Sequence, residues 1–188
     1  MEHALAPPIV DRSIIPDSDG SLYTAIVKNL MSPKDFKLVE ADENEVLYLA
    51  SFTLKRDHVN FLKEKFRREA ENRKLAILHC STAVVTYAFV WIGYLKAKSN
   101  VSDETKDAHC LFAADLRRWF QPAIPENYFG NCIGPCFVQA NARDLLGPNG
   151  FFEACLVISK AFEEVKKVGI SDAKDWIKNV QEKGIQWN

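Results

Sequence analysis

The residues best suited to chemistry lie together in the stretch 115–132, which contains acidic, basic, amide and aromatic side chains. Asp115 and Arg117 are two residues apart, so on a strand they would share a face and could pair. A structural ion pair is the more frequent reason for this spacing, and an anion-binding site is the alternative. Two prolines, Pro122 and Pro125, remove backbone donors, so the stretch should be a loop between two strands.

Two further segments have a structural and a functional interpretation. Residues 128–131 (Tyr-Phe-Gly-Asn) form a turn, in which the aromatic rings plug the core and Asn131 bonds the turn backbone. The alternative is that Tyr128 and Asn131 line a ligand tunnel. Ser81 and Thr82 precede a long apolar run, so they should cap a helix, or bind a phosphate through its free N–H groups.

The five cysteines predict packed, reduced thiols rather than a reactive or metal site. Cys132, Cys136 and His109 suggest zinc or a thiol nucleophile, but three residues separate the cysteines and no second Cys/His pair follows. The odd count and the apolar neighbours favour buried thiols in a cytoplasmic protein.

Several of these motifs resemble the plant BAHD acyltransferases, in particular the anthocyanin and phenolic-glucoside malonyltransferase branch. The resemblance covers nearly the whole chain. It is carried by Asp115-x-Arg117 with Pro122, Pro125 and the block 128–132 (Tyr-Phe-Gly-Asn-Cys), by 81–86 (Ser-Thr-Ala-Val-Val-Thr), by Leu145-Leu146-Gly147 with 149–151, and by Asp11-Arg12-Ser13.

The resemblance implies transfer of an acyl group, often malonyl, from acyl-CoA to a hydroxyl of a phenolic glucoside or flavonoid. Acyl-CoA, with malonyl-CoA as the leading candidate, would be the co-substrate, with phenolic small molecules as partners and neither a metal nor a tightly bound cofactor. The acyl-CoA side would be lined by Ser81, Thr82, Asp115, Arg117, Tyr128 and Asn131. The chain departs from the family at Trp119, where a second arginine is usual, and at Ala123, where proline is usual.

The catalytic motifs of that family are absent from this sequence. None of the four histidines is followed four residues on by Asp, as His-x-x-x-Asp requires, and Asp-Phe-Gly-Trp-Gly does not occur. We therefore expect no catalytic residue here and a partial chain that is inactive alone. The alternative is a non-catalytic remnant that binds CoA or pairs with a partner chain.

By resemblance, the expected fold is α/β, part of a two-domain chloramphenicol-acetyltransferase-like fold with a mixed sheet flanked by helices. Residues 1–75 would be a remnant of the N-terminal domain, and 76–188 most of the C-terminal, CoA-side domain. Hydrophobic periodicity and turn residues place the individual elements. They predict helices over 21–31, 57–73, 81–98, 151–167 and from 171 to about 178, and strands over 36–39, 46–54, 108–117 and 132–142.

Composition limits the classes of partner. The net charge of −1 gives no electrostatic reason to expect nucleic acid or an anionic membrane. The longest apolar run, 83–95, falls short of the ~20 residues that a membrane span needs, and no secretory signal is recognisable. A sheet cut from a larger fold would leave an open edge, which favours self-association or pairing with a complementary half.

Overall fold

A computed structural model describes residues 6–15, 17, 20–30, 49–76, 80–98 and 107–168 of the 188-residue chain. The predicted strand 36–39 and the predicted helix after residue 171 lie outside the described residues, as do residues 46–48 of the predicted strand 46–54.

Five α-helices and one pair of strands form the described architecture, which is mixed α/β. In chain order they are α1 (Ser21–Leu30), α2 (Arg56–Asn72), α3 (Thr82–Lys98), β1 (Asp107–Asp115), β2 (Ile133–Asn141), α4 (Ala142–Leu146) and α5 (Gly150–Val168). Four of the predicted helices are confirmed within one or two residues. The predicted strands 108–117 and 132–142 are also confirmed, with slightly shorter bounds.

The strands β1 and β2 pair as an antiparallel two-stranded sheet. Their burial alternates over much of their length, as expected where one face packs and the other is open to solvent. The side chains of Asp107 and Gln139 are hydrogen-bonded across the pair, with 2.7 Å between Oδ2 and Nε2. The described sheet therefore has two strands, fewer than the mixed sheet that the resemblance implied.

The predicted strand over 46–54 is wrong in its described part. Residues 49–55 have no regular structure, and Leu49 and Phe52 are 100% and 93% exposed. A strand is stabilised by cross-strand partners and a buried face, and this segment has neither among the described residues. Its alternation of apolar residues was too loose a signal.

Helix α3 is buried on one side, although nearly all of its residues are apolar. Residues such as Val85, Ala88 and Ile92 are buried, because α2 and α4 pack on that side. Phe89, Val90 and Tyr94 are exposed. A nearly all-apolar helix has no polar face to show which side its neighbours cover.

The chain divides into two compact units. The first comprises Met1–Val39, Phe112–Cys136 and Glu164–Asn188, and the second comprises Glu40–Leu111 and Phe137–Glu163. The predicted domain boundary between residues 75 and 76 stays a prediction.

The core of the second unit is helical. Phe66 of α2 packs against Phe152 of α5, with ring centroids 5.3 Å apart. The guanidinium of Arg73 lies over the Phe152 ring and pairs with Glu69 at 2.7 Å and Glu153 at 2.8 Å. These contacts join α2 to α5.

No described helix is both long enough and apolar enough to cross a membrane.

Candidate functional site

The loop between β1 and β2 is built on a row of buried side chains. The Leu116 N–H donates to the Cys132 carbonyl at 2.7 Å, which closes the base of the loop. Within it, residues four apart in sequence are buried: Leu116, Phe120, Ile124 and Tyr128. The predicted irregular, aromatic loop is confirmed, and its apolar side chains hold it in place.

Arg117 braces this loop from inside. Its Nη1 donates to Asp115 Oδ2 at 2.6 Å and its Nη2 to the Gly130 carbonyl at 2.9 Å. Asp115 also accepts the Arg117 N–H at 3.0 Å. The Arg117 Nε is buried and has no hydrogen-bond partner among the described residues. One side chain thus joins residues 115 and 130, at opposite ends of the loop.

The expected contact between Asp115 and Arg117 forms, but not by the expected route. Arg117 lies in a 3-10 helix, Arg117–Trp119, rather than on β1. The two side chains therefore do not share a strand face. They meet because the chain turns immediately after Asp115, where β1 ends.

The segment before α1 also belongs to this site, which the sequence did not predict. Ile9 donates its N–H to the Asn127 carbonyl at 2.9 Å and accepts the Phe129 N–H at 2.7 Å, as a parallel bridge to Tyr128. The Asn127 amide donates to the Pro7 carbonyl at 2.8 Å. The described residues before α1, which we call the lead-in, thus pair with the loop.

The structural interpretation of residues 128–131 was half wrong. Tyr128 is buried, whereas Phe129 is 80% exposed. Adjacent residues in extended backbone point to opposite sides, so only one ring can enter the core. Asn131 is exposed, and the structure gives its side chain no hydrogen bond to the turn.

Gly130 is required by the Tyr128 ring. A Cβ at residue 130 would overlap the end of that ring, at Cζ and the hydroxyl oxygen. We expect Gly130→Ala to lower the free energy of unfolding by about 1–3 kcal/mol, the usual cost of overpacking. Urea unfolding measures this loss.

The matched control is the same change in a Tyr128→Leu background, where the smaller side chain leaves room. Equal losses in the two backgrounds would contradict the steric explanation.

A cavity of about 400 Å³ lies beside Tyr128, and we call it the Tyr128 cavity. Its volume falls within the range of small-molecule sites. Its walls come from the lead-in, α1, the loop and the first residue of β2, all in the first unit. The lining residues are Val10, Arg12, Ile15, Asp17, Tyr23, Leu116, Phe120 and 128–133.

A second cleft lies on the other part of the loop. Its volume is about 460 Å³, and it is lined by Asp115, Arg117, Arg118, Trp119 and Glu126. Arg118 donates to Glu126 at 2.8 Å, and both side chains are exposed. The cleft therefore holds two acids and two bases that already pair with one another.

Ser81 and Thr82 belong to the second unit and are described by themselves. The Ser81 hydroxyl accepts the Val84 N–H at 3.2 Å, one turn into α3. Thr82 is exposed at the start of that helix. The geometry of Ser81 is that of a helix cap.

The cysteines show the chemistry of packed thiols. All five are free, and burial is the main cause that raises the pKa of each. It raises the pKa of Cys136 to about 12. For Cys132, nearby Arg117 lowers the pKa but less strongly than burial raises it. A thiolate nucleophile needs the opposite shift. Among the described residues, no three His, Cys, Asp or Glu side chains are grouped to hold a metal ion.

Comparison with known proteins decides the family. A family model described as "Transferase family" matches residues 4–186. This chain belongs to that family, the BAHD acyltransferases. The resemblance inferred from the Tyr-Phe-Gly-Asn-Cys block and its neighbours is confirmed.

Among curated BAHD relatives, the chain is similar to enzymes for different acyl groups. Malonyl-coenzyme A:anthocyanin 3-O-glucoside-6''-O-malonyltransferase of Dahlia pinnata is 30% identical over 181 residues, 90% of this chain and 37% of that protein. Phenolic glucoside malonyltransferase 1 of Bemisia tabaci is 29% identical over 168 residues, 84% of this chain and 35% of that protein. Agmatine coumaroyltransferase of Arabidopsis thaliana is 31% identical over 115 residues, 61% of this chain. The chain spans between 24% and 37% of the length of these three relatives.

Sequence reasoning missed the lead-in side of the site. Arg12, Asp17 and Tyr23 line the Tyr128 cavity, and Ile9 joins the lead-in to the loop. The one available signal was the Asp11-Arg12-Ser13 motif, which resembles the family but carries no indication of its distant partner. Of the six predicted site residues, the structure brings together Asp115, Arg117, Tyr128 and Asn131 in the loop of the first unit.

Proposed function

We propose that this chain supplies the CoA-side wall of an acyl-CoA-dependent acyltransferase. The reaction would move an acyl group, malonyl first among candidates, from CoA to a hydroxyl of a phenolic glucoside or flavonoid. The observation that carries the proposal is the braced loop, in which Arg117 fixes Asp115 and the Gly130 carbonyl next to a cavity of about 400 Å³. Family membership supplies the reaction class.

The residues proposed to lie along acyl-CoA have different roles. Tyr128 and Asn131 line the cavity directly, whereas Asp115 and Arg117 position the loop that carries them. Arg117 already bonds a carboxylate and a carbonyl, so it acts as a positioning residue. Ser81 and Thr82 remain proposed contacts in the second unit, and for Ser81 the geometry supports capping.

We propose that these 188 residues alone do not catalyse the transfer. As the acceptor oxygen attacks the thioester carbonyl, an O–C bond forms, the C–S bond breaks, and the acceptor proton must pass to a base. The sequence has no His-x-x-x-Asp motif, and of the two described histidines, His58 is exposed on α2 and His109 lies on β1. Loss of a general base usually costs a factor of ~10²–10⁴ in rate.

We also propose that the enzyme has two domains, with residues 1–75 from the N-terminal domain and 76–188 from the CoA-side domain. We propose a cytoplasmic location, which the five free cysteines support.

A second candidate is a non-catalytic chain that binds CoA or a partner chain. The exposed apolar residues of α3, Phe89, Val90 and Tyr94, favour it, because such a stripe is unfavourable in water unless something covers it.

Titration calorimetry with malonyl-CoA and an acyl-transfer assay with a phenolic glucoside test the proposal. We expect binding without turnover, and weaker binding after Arg117→Met because the loop loses its brace. Arg56→Met, an exposed arginine at the start of α2, is the control and should bind as the parent does. Absence of heat at millimolar malonyl-CoA would refute the CoA-side role and leave the partner chain as the remaining candidate. Turnover by the chain alone would refute the inactive state.

A further inference from the structure

Of the two charged side chains that line the Tyr128 cavity, only Arg12 lacks a partner among the described residues. Arg12 and Asp17 are its charged lining residues. Asp17 Oδ2 accepts the Tyr23 N–H at 3.0 Å, so this carboxylate is committed to the start of α1. The Arg12 guanidinium has no hydrogen bond or ion pair with any of the residues that the structure describes.

The carboxylate of Asp11, next to Arg12 in sequence, does not pair with the Arg12 guanidinium either. Asp11 Oδ1 accepts the Ser13 N–H at 2.9 Å and Oδ2 accepts the Ser13 hydroxyl at 2.8 Å. Both oxygens are thus used to cap the short 3-10 helix Arg12–Ile14. These bonds hold the pKa of the Asp11 carboxyl below its ordinary value, so it stays ionised in that role.

Exposed apolar side chains line part of the Tyr128 cavity. Val10, Phe129 and Ile133 are all among the large hydrophobic residues that remain exposed, and all three line this cavity. Leu116, Phe120 and Tyr128 are buried residues of the same lining. Clustering of exposed apolar surface around a concave site is typical of ligand binding.

We propose that the Tyr128 cavity binds a small organic acid, with its carboxylate at Arg12 and its apolar body against Phe129 and Ile133. A guanidinium recognises a carboxylate through paired, charge-assisted hydrogen bonds. The exposed ring of Phe129 suits a flat aromatic body. The inference goes beyond the proposed function, because this ligand needs neither CoA nor turnover.

The test is calorimetric titration of the whole chain with p-coumarate and with its uncharged methyl ester. We expect the acid to bind about ten-fold more tightly than the ester, since only the acid offers the guanidinium a charged acceptor, and hydrogen bonds to charged groups are the stronger ones. Arg12→Gln should abolish the difference, and Arg12→Lys should retain part of it. Asp17→Asn should tighten binding of the acid, because it removes a negative charge and keeps an acceptor for the Tyr23 N–H. Far-UV circular dichroism checks that each variant is folded.

Two further ligands separate this inference from its rivals. Malonate carries the charge without an aromatic body and should bind more weakly than p-coumarate. Coenzyme A tests for a phosphate site at Arg12. Equal binding of acid and ester, equal binding of malonate and p-coumarate, or an Arg12→Gln effect confined to coenzyme A would each overturn the inference. Malonyl-CoA binding in the absence of p-coumarate binding would refute this inference and leave the proposed function intact.

Discussion

Gly150→Ala should lower the free energy of unfolding by about 3 kcal/mol or more. Gly150 is the first residue of α5, and a Cβ there would overlap the carbonyl of Leu145, the buried residue of α4 that it faces. Overpacking costs about 1–3 kcal/mol where a side chain can rotate away. A backbone carbonyl cannot rotate away without moving α4, so the cost lies at or above the top of that range. Urea unfolding followed by circular dichroism at 222 nm measures it.

Gly93→Ala is the matched control. Gly93 lies on the exposed side of α3, and a Cβ there would meet nothing within 4 Å. Alanine in an open helical position should stabilise the protein by about 0.5–1 kcal/mol. Similar unfolding midpoints for the two variants would contradict the packing of α5 on α4.

The second large effect is expected at the contact between α2 and α5. Phe66→Ala should destabilise the protein by about 3–5 kcal/mol, because it removes a ring that is 1% exposed and packs against Phe152. The Phe152 ring would also lose its contact on the Phe66 side. The Arg73 guanidinium carbon lies 4.3 Å from the centroid of the Phe152 ring. Thermal and urea unfolding give the loss.

Phe61→Ala tests whether burial rather than residue type is responsible. Phe61 lies on the same helix, five residues earlier, but is 68% exposed. Surface substitutions of this kind change stability by about 0.5 kcal/mol or less. A loss at Phe61 as large as that at Phe66 would show that burial does not account for the difference between the two sides of α2.

Local sequence signals predicted most of the helices correctly. In α2, Leu62, Phe66 and Ala70 recur every four residues, and all three are buried. In α5, Ala154 and Ile158 follow the same rule. Such spacing is a property of neighbours along the chain, so it can be read without knowing the fold.

The short helix α4 was missed, although its signal is local. Asn141 accepts the Arg143 N–H at 3.0 Å and caps the helix directly after β2. The predicted strand ran on to residue 142 because the apolar pattern continued through the cap. A five-residue helix is too short for periodicity to reveal.

The error at Arg117 has a different cause. The period-two rule holds only inside a strand, and β1 ends at Asp115. The hydrogen bond just beyond the strand joins Leu116 to Cys132, which is sixteen residues further along the chain. The end of a strand is set by its partner, and no property of residues 115–117 alone indicates it.

The amino-acid sequence by itself determined the family, the central loop with its Tyr-Phe-Gly-Asn-Cys block, the main helices and the absence of a His-x-x-x-Asp motif. These features could be predicted because motifs and periodicity depend only on residue order. Only the tertiary structure decided which ring of Tyr128 and Phe129 is buried, that Arg117 braces Gly130, and that Ile9 and Arg12 reach the loop more than a hundred residues away. Those features depend on contacts between residues distant in sequence, whose gain in free energy appears only once the chain has folded.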